Sequence, residues 1–123
     1  MKQGLVGIIL GVAFSTGCGE SAELSFVECL ADKGVHGYSS WLCGPCRVQK
    51  EHLQDELGED WPTFNEQVMI ECYESGKITE KQICKDEGIA ALPAWDFPQN
   101  QGTVRKYGIL SIDKIAEYSG CEY

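Results

Sequence analysis

Basic residues are scarce in this sequence, and they do not gather into a patch. The 123 residues contain 10 lysines and arginines against 19 aspartates and glutamates, which gives a formal net charge of -9. An acidic surface repels the phosphate backbone of a nucleic acid. The composition therefore argues against DNA or RNA as a partner.

A long apolar run is also missing. Residues 5–14 form the longest one, and a membrane-spanning helix needs about 20 apolar residues. The run follows Lys2 and precedes small residues that end at Cys18, which is the pattern of an export signal. These small residues resemble the lipobox of bacterial lipoproteins, although Ser15 stands where leucine is usual.

The lipobox resemblance predicts a signal peptide over residues 1–17, a lipidated Cys18 and a tether over residues 18–24. The protein would then be exported to the periplasm or the outer cell surface and anchored to the membrane by its lipid. An ordinary signal peptide with a free Cys18 thiol, or a short uncleaved anchor, stays open as an alternative. Residues 25–123 are enough for one domain with its own core and too few for two.

Cysteine, in contrast, is abundant, with seven in the chain. In a short exported protein this number indicates an oxidising compartment and a framework of disulfides. Lipidation of Cys18 would leave six of the seven, an even number that can pair completely. Six cysteines allow several connectivities. We favour one bridge within the tight C-x-x-C motif, one across a local crossover and one between the ends of the domain: Cys43–Cys46, Cys72–Cys84 and Cys29–Cys121.

Hydrophobic periodicity predicts an α/β protein with the element order α-β-α-β-α-β-β-α. Helical spacing occurs over residues 21–32, 43–57, 78–86 and 112–119, and strand patterns over residues 35–40, 68–72, 94–97 and 103–107. A loop containing Trp61-Pro62 is expected between the second helix and the second strand. The C-x-x-C motif therefore stands at a junction between a strand and a helix.

A dithiol that exchanges with a protein disulfide needs one exposed thiolate and one resolving thiol nearby. At a helix start, the thiolate of Cys43 would be stabilised by free backbone N–H groups and the helix dipole, while Cys46 would lie one turn further in. We therefore predict Cys43 as the nucleophile and Cys46 as the resolving residue. Pro45 suits the first turn, where its missing N–H costs nothing, and Gly44 lets a partner backbone come close.

Two other interpretations of the motif are a purely structural bridge and half of a metal site. A zinc ribbon would need a second C-x-x-C about 15–20 residues further on, and Arg47 after Cys46 does not fit the haem-attachment pattern. His36 and His52 lack the spacing of metal ligands. Two methionines are few for a carrier of a soft metal ion. We predict neither a metal nor a cofactor.

Leu92-Pro93 precedes the third predicted strand. Proline is tolerated at the first residue of a strand, so the pair could simply mark where the strand begins. Alternatively, the bond is cis and packs against the C-x-x-C motif, with the neighbouring backbone free to pair with a bound peptide. The sequence does not distinguish these two interpretations. The predicted substrate-binding residues are Trp41, Gly44, Pro45, Leu92 and Pro93.

A resemblance to the thioredoxin superfamily rests on the run WLCGPC at residues 41–46, the helix after it and the later Leu92-Pro93. The C-G-P-C tetrad is that of thioredoxin itself. From about residue 26 to residue 121, the chain also resembles the thioredoxin-like domain that occurs fused to bacterial vitamin K epoxide reductase homologues or as a separate exported protein. The matching residues are Phe26-Val27-Glu28-Cys29-Leu30, Lys33-Gly34, Tyr38, Cys43 to Cys46, Gln49-Lys50, Glu71-Cys72, Cys84, Gly88-Ile89, Pro93-Ala94-Trp95 and Ser119-Gly120-Cys121.

This resemblance implies a thioredoxin fold, with a central mixed sheet of about four strands flanked by helices. It also implies dithiol–disulfide exchange, a cis-Pro93 and a membrane quinone-linked reductase homologue as a possible redox partner. Three departures stand near the site. Leu42 precedes Cys43 where these families usually have tryptophan, with Trp41 displaced by one. Gly44-Pro45 replaces a common Pro-His pair, which removes a cationic neighbour of the thiolate. The buried acid of thioredoxin is also missing, since Gly37 falls near its place.

The leading hypothesis is an extracytoplasmic thiol–disulfide oxidoreductase that exchanges disulfides with exported proteins or a membrane redox partner. The tetrad leans towards a reductant, yet an oxidising compartment would permit an oxidant, so the direction stays open. The alternative is a lipoprotein that kept the fold for binding, with Cys43–Cys46 as an inert bridge. Slow reaction with dithiols would favour that alternative.

Overall fold

Helices surround a single sheet in the computed structural model, which describes residues 24–123. In chain order the elements are α1 (Phe26–Asp32), β1 (His36–Ser39), α2 (Gly44–Leu57), a 3-10 turn (Gly58–Asp60), α3 (Trp61–Gln67), β2 (Met69–Glu71), α4 (Gln82–Asp86), β3 (Ala94–Gln99), β4 (Gly102–Tyr107) and α5 (Ile112–Ser119). The strand order is β2-β1-β3-β4, with β1 parallel to β2 and the other two pairs antiparallel. The predicted α/β class and mixed sheet of about four strands are confirmed.

The predicted signal peptide, the lipidation site Cys18 and tether residues 18–23 lie outside the described residues. Within residues 24–123, no helix is both long enough and apolar enough to cross a membrane.

The first helix begins later than predicted. The Ser25 hydroxyl accepts a hydrogen bond from the Glu28 N–H at 3.1 Å, and the Glu28 carboxylate accepts one from the Ser25 N–H at 3.0 Å. This reciprocal capping box fixes the first helical residue at Phe26. Leu24, which the predicted helix included, lies before the cap and is exposed.

The predicted loop around Trp61-Pro62 is wrong, because these residues begin α3. Proline is tolerated in the first turn of a helix, where its missing N–H has no partner to lose. Phe64 is fully buried and its ring stacks on that of Trp61, with centroids 6.0 Å apart. Burial of this one aromatic residue holds a helix that is too short to show a periodic pattern.

The helix predicted over residues 78–86 is also shorter, since α4 begins at Gln82. The residues before it pair as extended chain with the segment after β2: Tyr73 and Glu80 form an antiparallel bridge, and the Lys81 N–H donates to the Cys72 carbonyl at 2.7 Å. Ile78, which the predicted helix included, is 81% exposed.

Side chains alternate between the two faces of the sheet. Trp95 and Phe97 of β3 are fully buried in the larger core, which the helices α1, α2, α3 and α5 cover. Tyr38 of β1 and Ala94 of β3 belong to a smaller cluster on the opposite face, together with the cysteines at 72 and 84. The smaller cluster lies beneath the chain that leads to Pro93, so it supports the surroundings of the C-x-x-C motif.

Candidate active site

Cys43 and Cys46 are joined as a disulfide at the start of α2, with their Cα atoms 5.2 Å apart. Cys43 is the N-cap residue in extended conformation, and its sulfur accepts a hydrogen bond from the Cys46 N–H at 3.1 Å. Pro45 lies in the first turn and leaves no donor unsatisfied. Cys43 is half-buried, whereas Cys46 is fully buried. The pair therefore offers one sulfur to a partner, at the positive end of a helix.

Leu92-Pro93 lies directly beside this pair, and its peptide bond is cis. The Cys43 sulfur is 3.6 Å from the Leu92 carbonyl oxygen. Pro93 is fully buried, and its carbonyl accepts a hydrogen bond from the Gly108 N–H at 2.8 Å. Of the two interpretations of this dipeptide, the structure has the cis bond packed against the motif. Pro93 itself offers no side-chain surface to a ligand, while Leu92 is half-buried.

A groove of about 300 Å³ opens beside Cys43. Tyr73 and Glu80 line one part of it, and residues 89–92 line the rest, which we call the groove wall. The structure thus brings two predicted site residues, Cys43 and Leu92, into one cavity. The other exposed predicted residues, Trp41, Gly44 and Pro45, lie near Cys43 in the chain but do not line it. A cavity of similar volume between α2 and α5 contains none of the predicted residues.

Glu71 fixes the turn before Cys43, a role that sequence analysis did not identify. One carboxylate oxygen accepts a hydrogen bond from the Trp41 N–H at 3.0 Å, and the other is 3.5 Å from the Lys50 ammonium nitrogen. The Trp41 indole also donates to the Glu74 carbonyl at 2.9 Å, so this half-exposed ring is held in place. The available signal was an acidic residue at the end of a buried-type strand.

The space beside Gly37 in β1 is filled by an aromatic ring. A Cβ atom added to Gly37 would lie 2.6 Å from the Trp95 ring and 2.8 Å from the Met69 sulfur, so no side chain fits there.

The Trp95 indole donates to the Gln49 side-chain oxygen at 3.3 Å. Buried Gln49, one turn after the C-x-x-C motif, also bonds both backbone groups of Leu110, at 2.7 and 2.8 Å. Sequence analysis did not identify this role of Gln49.

Arg105 connects the edge strand β4 to the end of α4, just before the groove wall. Its guanidinium donates two hydrogen bonds to the buried Asp96 carboxylate, at 2.6 and 2.8 Å, and one to the Glu87 carbonyl at 2.7 Å. The hydrogen bonds to Asp96 raise the pKa of Arg105. Burial, aided by the negative charge of Asp96, raises the pKa of Tyr38 to about 12. Because Glu87 caps the end of α4, Arg105 holds the chain two residues before the groove wall.

The remaining described cysteines form the two other predicted bridges. Cys29–Cys121 spans 92 residues and joins α1 to the C-terminal end, and Cys72–Cys84 spans 12 residues and joins the end of β2 to α4. Cys72 and Cys84 are fully buried, and the wall residues Ile89 and Leu92 pack against their cluster. The bridge thus ties α4 covalently to the end of β2, and the groove wall packs against it.

No group of three or more His, Cys, Asp or Glu side chains that could hold a metal ion occurs within residues 24–123. Comparisons of the chain with protein-family models and with curated proteins found no match. The site thus consists of a disulfide with one accessible sulfur, an adjoining groove and an anchored wall. This arrangement suits exchange with a thiol that enters the groove.

Proposed function

We propose that the protein is a thioredoxin-like thiol–disulfide oxidoreductase that acts outside the cytoplasm on exported proteins. The observation that carries this proposal is the unequal exposure of the two cysteines, since Cys43 is half-buried at a groove and Cys46 is 0% exposed. A partner thiol reaches Cys43 and not Cys46. Cys43 therefore forms the mixed disulfide, and Cys46 resolves it.

In the oxidised state, a substrate thiolate attacks the Cys43 sulfur. A substrate–Cys43 disulfide forms, the Cys43–Cys46 bond breaks, and Cys46 leaves as a thiolate that takes up a proton. A second substrate thiolate attacks the substrate sulfur of the mixed disulfide and releases Cys43, which is protonated in turn. The substrate loses two electrons and two protons, and the cysteine pair gains them. The reverse sequence reduces a substrate disulfide.

Local geometry supports these steps. The Cys46 N–H, which lies 3.1 Å from the Cys43 sulfur, would stabilise the thiolate that forms there. The Leu92 N–H makes no hydrogen bond within residues 24–123, so it is available to the backbone of a bound substrate. The strand–helix junction that carries the C-x-x-C motif supports the assignment to the thioredoxin superfamily. A lipid anchor at Cys18 would hold the domain near a membrane quinone-linked reductase homologue that supplies or removes electrons.

A redox titration with thiol trapping tests the proposal. The purified full chain is equilibrated at a series of redox poises, alkylated and analysed by mass spectrometry. We expect Cys43 and Cys46 to titrate together as one reversible two-electron pair, while Cys72–Cys84 and Cys29–Cys121 stay oxidised. Cys43 adjoins an open groove, whereas Cys72, Cys84 and Cys121 are buried. The midpoint potential then gives the direction of exchange.

Two matched variants identify the roles of the cysteines. Cys46→Ser should accumulate a mixed disulfide with a protein substrate, because the resolving thiol is absent, whereas Cys43→Ser should not. If the Cys43–Cys46 bridge is as resistant to reduction as Cys72–Cys84, the catalytic proposal fails. The protein would then be a binding lipoprotein with an inert bridge.

A further inference from the structure

One acidic residue, Glu80, lines the groove beside Cys43. Glu80 is the single lining residue with a carboxylate, and its neighbours there are Tyr73 and the apolar wall residues 89–92. Glu80 is half-buried and forms no ion pair with any residue between 24 and 123. The nearby ammonium of Lys77 is paired with Glu74 instead, at 3.5 Å.

The backbone holds Glu80 in position. Glu80 pairs with Tyr73 in an isolated antiparallel bridge, and a backbone hydrogen bond lies on either side of it: Glu74 N–H to Thr79 O at 3.2 Å and Lys81 N–H to Cys72 O at 2.7 Å. The Cys72–Cys84 disulfide closes the same segment. The backbone from which the carboxylate extends is therefore held beside the groove before any ligand enters.

We propose that this groove selects substrate segments that carry a lysine or arginine close to the reacting cysteine, with the cation pairing to Glu80. The inference rests on the proposed function, because it concerns the substrate of the same site. A half-buried carboxylate gains more from a cation than a fully solvated one does. The apolar wall accepts the aliphatic stem of lysine or arginine. The net charge of -9 also attracts basic segments.

The test uses short dithiol peptides that reduce the Cys43–Cys46 bond of the full chain. The peptides are identical except that lysine or glutamate is scanned through the positions flanking the attacking cysteine, and dithiothreitol serves as an uncharged reductant. We expect the best-placed lysine peptide to react about 10-fold faster than its glutamate counterpart, since pairing and like-charge repulsion act in the same direction. Reaction with dithiothreitol should not depend on Glu80.

Glu80→Gln should reduce the preference at that position to about 2-fold, and Glu80→Lys should reverse it. Glu117→Gln is the matched control, because Glu117 is exposed on α5 and lies outside the groove lining. This substitution changes the net charge by the same amount as Glu80→Gln. It should keep the 10-fold preference. Circular dichroism checks that each variant is folded.

The outcomes separate the two proposals. Equal rates for lysine and glutamate peptides at every position, or a preference that stays at about 10-fold in Glu80→Gln, would overturn the role of Glu80. Reduction by dithiothreitol would then leave the redox pair standing. Failure of every reductant, dithiothreitol included, to open Cys43–Cys46 would overturn the proposed function and this inference with it.

Discussion

Replacement of Arg105 by methionine should destabilise the protein by about 3 kcal/mol. Removal of one partner from a fully buried ion pair costs about 3–5 kcal/mol, because the other charge is left buried and unpaired. The Asp96 side chain is 8% exposed and that of Arg105 is 23% exposed, so water already reaches the arginine and we take the lower end of this range. The variant also loses the hydrogen bond to the Glu87 carbonyl.

Urea unfolding with the disulfides intact measures this change. For a small protein with a slope of about 2 kcal/mol per M, the midpoint should fall by about 1.5 M. Lys77→Met is the control, because it breaks an exposed pair with Glu74 and should stay within about 0.5 kcal/mol of the parent. Adding Asp96→Asn to Arg105→Met should recover part of the loss, since no buried charge then remains. If Arg105→Met matches the Lys77 control, our account of the Arg105–Asp96 pair is wrong.

Two further predictions concern the same face of the sheet and the chain ends. Tyr38 has its pKa raised to about 12 in the folded protein, against about 10 when unfolded, so the stability it contributes is present below pH 10 and lost as the pH rises towards 12. Between these pH values the free energy of unfolding should fall less in Tyr38→Phe than in the parent. Tyrosinate absorbance measures the ionisation of Tyr38, and unfolding at each pH measures the change in stability. Replacing both Cys29 and Cys121 by serine should cost about 4–5 kcal/mol, against about 3 kcal/mol for Cys72 and Cys84, because the first bridge closes a loop of 92 residues and the second one of 12. Thermal unfolding of the two double variants compares them, and an equal or reversed order would contradict the loop-length argument.

Local sequence patterns predicted those helices and strands whose structure depends mainly on their own residues. The hairpin of β3 and β4 is an example: its strands were predicted, but each extends further towards the turn than the pattern showed. Pro98 belongs to β3 and not to the turn. The pairing of β1 with β3 ends where His36 lies opposite Asp96. No strand beyond that point needs a hydrogen bond from Pro98, which has no N–H to donate. Whether β3 tolerates a proline at this position depends on where β1 ends, and the sequence around Pro98 does not carry that information.

The same distinction holds at the site. The C-x-x-C spacing predicted a disulfide at a helix start, and Leu92-Pro93 was recognised as a possible cis bond, because both depend on neighbours in the chain. Glu71, Gln49 and Arg105 were not assigned their contacts, since these join residues 30, 61 and 18 positions apart. Each contact exists only once the strand order has brought its partners together.

Different contacts hold the disulfide and the groove wall, so the reactivity of the disulfide and the recognition of a substrate can be tested separately. Glu71 holds the turn before Cys43, whereas Arg105 and the Cys72–Cys84 bridge hold α4, from which the chain leads into the wall. A change at Arg105 should therefore loosen the wall and slow exchange with peptides of either charge, yet leave reduction by dithiothreitol unchanged, because dithiothreitol needs only the Cys43 sulfur. A change at Glu80 should alter the preference between peptides without loosening the wall. Loss of dithiothreitol reactivity in a folded Arg105 variant would mean that the wall and the disulfide are not separable in this way.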